Sequence, residues 1–292
     1  NIKKLKEELD KFLSNITVKG TILIANEGIN GSIAATQKDL EKIIKFIKSD
    51  LLNIRKLIIK SNKTDFLPFN KIKVRLKKEI VSLGKGRINI DKYKGTYLTP
   101  TQWNRKIKNN NTIVIDVRNN FEINIGKFKN ALNPDTKSFR EFPDSFQNMK
   151  ISKNSHIAIY CTGGIRCEKA SAFLKLNGFK NIFQLDGGII NYLKEYDNKS
   201  NQSQWTGECF VFDERVAIND KLDKGKYLQC YGCRRPITIK DTRSKFYVKG
   251  VSCKYCYNER SLYQKKKSYI RQSQIEQAES HGKNHPFKKI RQ

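Results

Sequence analysis

The sequence has little negative charge and few of the residues that usually hold redox cofactors. It contains 28 Asp and Glu against 58 Lys and Arg, with only three His and one Met. Two of the histidines, His281 and His285, lie in the C-terminal tail, which excludes an iron site built from two histidines and a carboxylate. The GKGR stretch at 84–87 is too short for a dinucleotide fingerprint, so we find no flavin or nicotinamide motif.

The sequence also lacks any apolar run of about 18 residues, which excludes a membrane-spanning helix. It shows no charged and then apolar leader with a small-residue cleavage site, so we expect no export signal. Seven cysteines without export indicate a reducing compartment, where thiols serve as metal ligands or nucleophiles. We therefore expect a cytoplasmic protein. The chain starts at Asn1 rather than at Met, and we expect its natural N-terminus to be missing.

The most prominent property of the composition is the net charge of +30. Such an excess of cations attracts polyanions, because binding releases counterions. A proteome rich in Lys, Asn and Ile explains part of the Lys count, but not the low count of Asp and Glu. The charge favours a nucleic acid as the partner, ahead of an acidic membrane surface.

The pattern of apolar residues predicts an α/β protein of three domains, residues 1–95, 96–200 and 201–292. The first domain is predicted to have α-β-β-α-β order, which would complete the split β-α-β pattern of a ferredoxin-like fold with one more strand in front. Its elements are a helix over 2–16, strands GTILIAN and GSIAAT around the turn EGING, a helix capped by Thr36, and strands IRKLIIK and KIKVRL.

The second domain alternates strands with helices, which predicts a mostly parallel sheet. Its strands are TIVIDV, HIAIYC and NIFQLD, with helices near 100–108, 167–178 and 188–195. Ligands of such sheets bind beyond the carboxyl ends of the strands. Asp116 and Arg118 follow one predicted strand, and Cys161 ends another.

The stretch CTGGIR places a cysteine in a glycine-rich loop between a strand and a helix. The backbone amides of this loop, the positive end of the following helix and Arg166 all favour the thiolate of Cys161. Six residues from Cys to Arg is the length found in rhodanese domains, one residue shorter than in cysteine phosphatases. The predicted active-site loop contains Cys161 as the catalytic residue, followed by Thr162, Gly163, Gly164, Ile165 and Arg166.

Four further residues are predicted to support this loop. Asp116, Arg118 and Glu122 follow a strand and resemble the first half of a rhodanese domain. Cys167 falls in the first turn of the next helix, where it either packs beneath the loop or resolves an oxidised Cys161.

The third domain contains two CxxC pairs, Cys230 with Cys233 and Cys253 with Cys256. This spacing predicts a structural zinc ion with four thiolate ligands, which would stabilise a segment poor in large apolar residues. Four reduced thiols and an iron–sulfur cluster remain alternatives. A catalytic zinc is disfavoured, because protein ligands would fill all four positions.

Several motifs together resemble one bacterial family, the rhodanese-domain tRNA uridine hydroxylases. They occur in this order along nearly the whole chain: KGTILIANEGINGSIAAT, KIKVRLKKEIV, NPDTKSFREFPD, YCTGGIRCEKASAFL, QLDGGIINYL, WTGECFVFDERV and the two CxxC pairs. The combination is far more specific than a rhodanese loop alone.

The resemblance implies a ferredoxin- or acylphosphatase-like first domain, a rhodanese second domain and a small cysteine-rich third unit. It further implies hydroxylation of the wobble uridine, position 34 of tRNA, to 5-hydroxyuridine with molecular oxygen, the active cysteine matching Cys161. The residues alone favour a different reaction, transfer of a persulfide sulfur from Cys161 to tRNA or to a carrier protein. A non-enzymatic RNA-binding module is a third possibility, which the glycine-cradled cysteine disfavours.

Overall fold

The computed structural model describes residues 2–48, 57–86, 88–196 and 202–282. The chain forms two compact units, one of residues 1–80 with 269–292 and one of residues 81–268. The predicted domain boundaries after residues 95 and 200 stay predictions. Within the described ranges, no helix is both long enough and apolar enough to cross a lipid bilayer.

The first unit contains a three-stranded sheet and two helices that precede and follow its hairpin. β1 is the central strand, antiparallel to β2 and parallel to β3. The apolar faces of both helices pack with β1 in one core that includes Leu9, Ile22 and Ile43. The elements are α1 (Ile2–Leu13), β1 (Val18–Ala25), β2 (Gly28–Ala35), α2 (Gln37–Ile47) and β3 (Ile72–Leu76).

Two local predictions for this unit need correction. Of the predicted strand IRKLIIK, residues 54–56 lie outside the described residues and residues 57–60 form no strand. Ile58 and Ile59 are 67% and 47% exposed, so this apolar run is not buried by a sheet. Gly31 lies within β2 rather than in the hairpin turn, and a Cβ there would be 2.5 Å from the Thr21 carbonyl oxygen.

The second unit is built on a parallel sheet in the order β4-β8-β7-β5. This confirms the predicted rhodanese-like architecture. Its first elements are α3 (Ile90–Tyr93), β4 (Thr96–Leu98), α4 (Pro100–Ile107), β5 (Thr112–Asp116), α5 (Asn120–Ile123), β6 (Gly126–Phe128), α6 (Phe142–Asn148), β7 (His156–Tyr160), α7 (Ile165–Leu176), β8 (Asn181–Leu185) and α8 (Gly188–Tyr196).

Parallel pairing brings the predicted site residues to one edge of this sheet. Asp116, the last residue of β5, is paired with Tyr160, the last residue of β7. The segments that continue to Arg118 and to Cys161 therefore start side by side. Buried strand residues such as Ile115, Ile157 and Ile159 fix this register, because a slip of one residue would turn them out of the core.

Residues 202–268 of the cysteine-rich segment belong to the same unit, in which the strands of this segment are only two or three residues long; the long helix that follows is divided between the two units. β9 pairs antiparallel with β6, so that Trp205 lies opposite Phe128. The Phe128 ring meets those of Tyr160, Tyr192 and Trp205 edge-on, with centroids 4.6–5.2 Å apart. The remaining elements are β9 (Trp205–Gly207), β10 (Cys209–Phe210), β11 (Ala217–Ile218), β12 (Leu228–Gln229), β13 (Pro236–Ile237) and α9 (Leu262–Ser280).

Candidate active site

Cys161 lies in the loop that joins β7 to α7 and is completely buried. Gly164 begins α7 with a φ of 97°, a left-handed conformation that glycine adopts without strain. This turn directs the Gly164 backbone N–H toward Cys161, and it donates a hydrogen bond to Sγ at 3.1 Å. The loop is therefore shaped to hold a negatively charged sulfur atom.

The surroundings of Cys161 lower the pKa of its thiol to about 6. Burial, the largest single influence, raises that pKa. The combined effect of a hydrogen bond from the Cys167 thiol, the charge of Arg166 and the backbone N–H groups of both residues is larger and opposite. At pH 7 a thiol with this pKa is about 90% thiolate, the nucleophilic form.

Arg166 is held by Glu122 in a buried ion pair. The two guanidinium nitrogens Nη1 and Nη2 each donate to one oxygen of the Glu122 carboxylate, both at 2.7 Å. Nη2 also donates to the Thr162 hydroxyl at 3.2 Å. Glu122 thus fixes the orientation of the Arg166 guanidinium, whose charge acts on Cys161. Burial raises the pKa of the Glu122 carboxyl, but the charge of Arg166 keeps that pKa below its usual value.

Asp116 and Arg118 form a second buried pair. The Arg118 Nε and Nη2 donate to the Asp116 carboxylate at 2.9 and 2.7 Å, and Nη2 also donates to the Gly126 carbonyl oxygen at 2.6 Å. The guanidinium lies 5.2 Å from the Trp205 ring. Asp116, Arg118 and Glu122 thus lie outside the loop itself, and their supporting role stays a prediction.

The two other cysteines of this region are both buried and protonated. Burial, followed by the hydrogen bond and charge of Cys161, raises the pKa of Cys167 well above its ordinary value. Cys167 is therefore a neutral donor to the Cys161 sulfur in this structure. Cys209, which the sequence did not single out, lies near Arg118 and Glu122, and burial raises its pKa to about 12.

The sequence analysis missed the residues at the start of α8 that contact the backbone of the loop. The Ile189 and Ile190 backbone N–H groups donate to the carbonyl oxygens of Cys161 and Thr162 at 3.0 and 3.1 Å. At Gly188, with a φ of 68°, a Cβ would be 2.5 and 2.6 Å from those same oxygens. The double glycine in LDGGIINYL was the available signal, since such a pair before a helix marks close backbone approach.

The four cysteines of the two CxxC pairs come together in one cluster. Their sulfur atoms all lie within 4.8 Å of one another. Three of the Sγ–Sγ distances are 3.8–3.9 Å, while a tetrahedral zinc ion with bonds of about 2.3 Å requires about 3.8 Å. Cys230, Cys253 and Cys256 are buried, and Cys233 is half-buried. The cluster therefore fits a tetrahedral metal ion with four thiolate ligands.

The fold and the cysteine loop define a rhodanese-domain protein. Residues 99–195 match the rhodanese-like domain family, and residues 1–80 match the family described as UPF0176 acylphosphatase like domain. A rhodanese-related protein from Thermoplasma volcanium is 26% identical, with a TM-score of 0.30, over 34% of this chain and 92% of that one. A rhodanese-like domain protein from Staphylococcus aureus is 24% identical, with a TM-score of 0.29, over 33% of this chain and 90% of that one.

One relative extends over almost the complete chain. The protein named tRNA uridine(34) hydroxylase of Pelagibacter ubique is 44% identical over 290 residues, which are 99% of this chain and 94% of that protein. This chain belongs to the tRNA uridine(34) hydroxylase family, which confirms the resemblance identified from the motifs.

We expect alkylation of Cys161 by iodoacetamide to have a midpoint near pH 6. The thiolate is the reactive form, so the rate rises as pH passes through this pKa and levels off above it. The double substitution Glu122→Gln/Arg166→Gln removes the nearby cation and keeps a neutral hydrogen-bonding pair, so the midpoint should move up from about pH 6, while the hydrogen bonds from Cys167 and the backbone N–H groups remain. Peptide mass spectrometry of alkylated protein across the pH range measures both curves.

The two single substitutions are the control for the ion pair. Each leaves one buried charge without its partner and should lower the free energy of unfolding by about 3–5 kcal/mol, whereas the double variant should lose less than the two singles together. Urea unfolding measures this difference. Strictly additive losses, or an unchanged alkylation midpoint in the double variant, would contradict this view of the pair.

Proposed function

We propose that this protein is an oxygen-dependent oxidoreductase that hydroxylates the wobble uridine, position 34 of tRNA, to 5-hydroxyuridine. The observation that carries the proposal is the match to the Pelagibacter ubique hydroxylase over 99% of the chain. The activated Cys161 supports it, because chemistry on a pyrimidine ring commonly begins with a nucleophile. Molecular oxygen as co-substrate comes from the resemblance. Such an enzyme acts in the cytoplasm, where its tRNA substrate is.

Cys161 is the proposed nucleophile. Its thiolate adds to C6 of the uridine: the sulfur lone pair forms the S–C6 bond, and the C5–C6 π pair moves toward C5 and O4. This addition makes C5 electron-rich, so that C5 takes up one oxygen atom of O2, while an external two-electron donor with two protons reduces the other oxygen atom to water. Loss of the C5 proton with expulsion of the thiolate then restores the C5–C6 double bond. The loop amides and Arg166 set the thiolate fraction before addition, and Asp116, Arg118 and Glu122 position the loop.

The uridine has to leave its stack to reach this sulfur. Cys161 is fully buried, so contact requires both that the loop around the sulfur rearranges and that the base leaves its stack. Enzymes that act on buried faces of bases extrude the nucleotide into a pocket, at a cost of a few kcal/mol that is smallest for unpaired bases. The anticodon loop is single-stranded, and the net charge of +30 favours binding of the surrounding phosphates.

A test of the reaction is nucleoside mass spectrometry of tRNA from cells that lack this protein. We expect 5-hydroxyuridine and its derivatives to be lost in these cells, to return with the wild-type gene, and to stay absent with Cys161→Ala, which retains the fold but has no nucleophile. Cys209→Ala is the matched control, since it removes a buried thiol that is protonated and outside the loop.

The same experiment distinguishes the second candidate, a persulfide sulfurtransferase acting on tRNA or on a carrier protein. The observation that favours it is the rhodanese-length loop, in which the Gly164 backbone N–H donates to the Cys161 sulfur at 3.1 Å. If 5-hydroxyuridine is unchanged while a thiolated nucleoside is lost, the hydroxylase proposal is wrong and sulfur transfer is the better assignment.

The addition step predicts a covalent trap. A tRNA with 5-fluorouridine at position 34 should form an adduct with Cys161, because fluorine at C5 is not lost as a proton is. Intact-protein mass spectrometry should show protein plus RNA for wild type and none for Cys161→Ala. Complete absence of the adduct under conditions in which the uridine-containing tRNA is hydroxylated would exclude addition at C6.

We further propose that Cys230, Cys233, Cys253 and Cys256 bind a structural zinc ion. The purified protein should contain one zinc per chain, and Cys253→Ser should lower both the zinc content and the melting temperature, because a structural ion supplies folding free energy. Cys209→Ser is the control, as Cys209 lies outside this cluster. Elemental analysis and thermal unfolding measure the two effects; full stability after complete removal of the metal would contradict a structural role.

A further inference from the structure

A cleft of about 1050 Å³ lies between α5 and the cysteine-rich segment. Asn120 and Phe121 of α5 form part of one wall, and Lys240, Arg243 and Tyr255 belong to the other. This volume is slightly above the usual range of about 300–1,000 Å³ for small-molecule pockets. It therefore suits an elongated ligand better than a single small molecule.

The cleft has an unneutralised positive charge. Its lining includes five cations and two carboxylates, a net charge of +3. Both carboxylates are already paired, Asp241 with Lys254 at 2.6 Å and Glu259 with Arg235 at 2.9 Å. The three other cations, Lys137, Lys240 and Arg243, are exposed and form no ion pair within the part of the chain that the structure describes. They are available to bind an anion.

Aromatic and apolar side chains lie among these cations. Tyr255 is 44% exposed, with the Lys254 ammonium 4.9 Å from its ring. Ile239 is 62% exposed beside Lys240. The ring of Phe121 is held edge-on against Phe210, with centroids 5.1 Å apart. Flat exposed rings next to free cations are typical of surfaces that bind single-stranded RNA, where bases stack and phosphates pair with cations.

The cleft and the Cys161 loop share the short helix α5. Phe121 lines the cleft, while its neighbour Glu122 points inward and binds Arg166 at 2.7 Å. An RNA strand bound in the cleft thus lies on the opposite side of α5 from the Arg166 guanidinium.

We propose that this cleft binds the single-stranded RNA next to the modified uridine, the neighbouring nucleotides of the anticodon loop. The proposal rests on the proposed function and specifies the surface that recognises its substrate. Lys240 and Arg243 pair with phosphates, and Tyr255 stacks on a base. The charge and the exposed ring of Tyr255 favour RNA over a protein partner, for which apolar contacts would dominate.

The test compares two charge reversals by fluorescence anisotropy with an anticodon stem-loop RNA. Lys240→Glu/Arg243→Glu changes the cleft, and Lys221→Glu/Lys224→Glu makes the same change in charge at exposed residues of the same unit that do not line it. We expect the cleft variant to raise the Kd about tenfold or more and to lower the salt slope by about 1.4, the value for two lost phosphate contacts. The control should change Kd less than about threefold.

Crosslinking gives a second measurement that does not depend on the variants. The stem-loop with 4-thiouridine next to position 34 is irradiated with full-length wild-type protein, and the crosslinked peptides are mapped by mass spectrometry. Crosslinks to Phe121 or Tyr255 support the proposal. Crosslinks only outside the cleft, or equal losses of affinity in both charge reversals, overturn it.

These readouts separate the proposal from the proposed reaction. RNA binding and crosslinking require no chemistry, so a missing 5-hydroxyuridine product would not change their interpretation. Conversely, if the cleft variant hydroxylates tRNA fully and binds the stem-loop RNA with unchanged affinity, the proposal that the cleft binds RNA is wrong, while the proposed reaction stands. If that variant loses only affinity for free uridine monophosphate while its affinity for the stem-loop is unchanged, the cleft is a mononucleotide site and the proposal is wrong.

Discussion

The bidentate ion pair of Glu122 and Arg166 fixes the position of the positive charge next to the Cys161 loop, and the rest of the site depends on it. Both side chains are buried, and desolvating two charges is costly unless each is fully paired. Pairing fixes the guanidinium, which contacts Thr162 and lowers the pKa of Cys161 from a defined position. A neutral residue in place of either partner would leave the other charge unpaired, so the loop, α5 and α7 depend on one interaction.

The pair of Asp116 and Arg118 extends this constraint toward the cysteine-rich segment. Arg118 donates to the carbonyl oxygen of Gly126 in β6, and β6 is the strand to which β9 is paired. The same guanidinium approaches the ring of Trp205 in β9. Arg118 thus connects the end of β5 with the segment whose cations line the cleft beside α5.

The elements of the sheet were predictable because their sequence signals are local. The apolar runs around Ile115, Ile157 and Ile182 are bounded by polar residues, and each became a strand. The Cys161 loop was recognisable by the same logic, since its glycines and arginine are consecutive in the chain. The strand predicted at residues 57–60 was wrong, because its isoleucines are exposed rather than packed against another layer. An apolar run alone does not reveal which residues will pack against it.

The sequence by itself determined the family, the rhodanese-like order of elements, the position of the candidate nucleophile Cys161 and the spacing of the four clustered thiols, because each of these is encoded in neighbouring residues. Only the tertiary structure decided that Glu122 is the partner of Arg166 over 44 residues, that Gly188 supports the loop, and that α5 forms one wall of a basic cleft. Such contacts join residues distant in the chain, and their identity depends on strand register and packing.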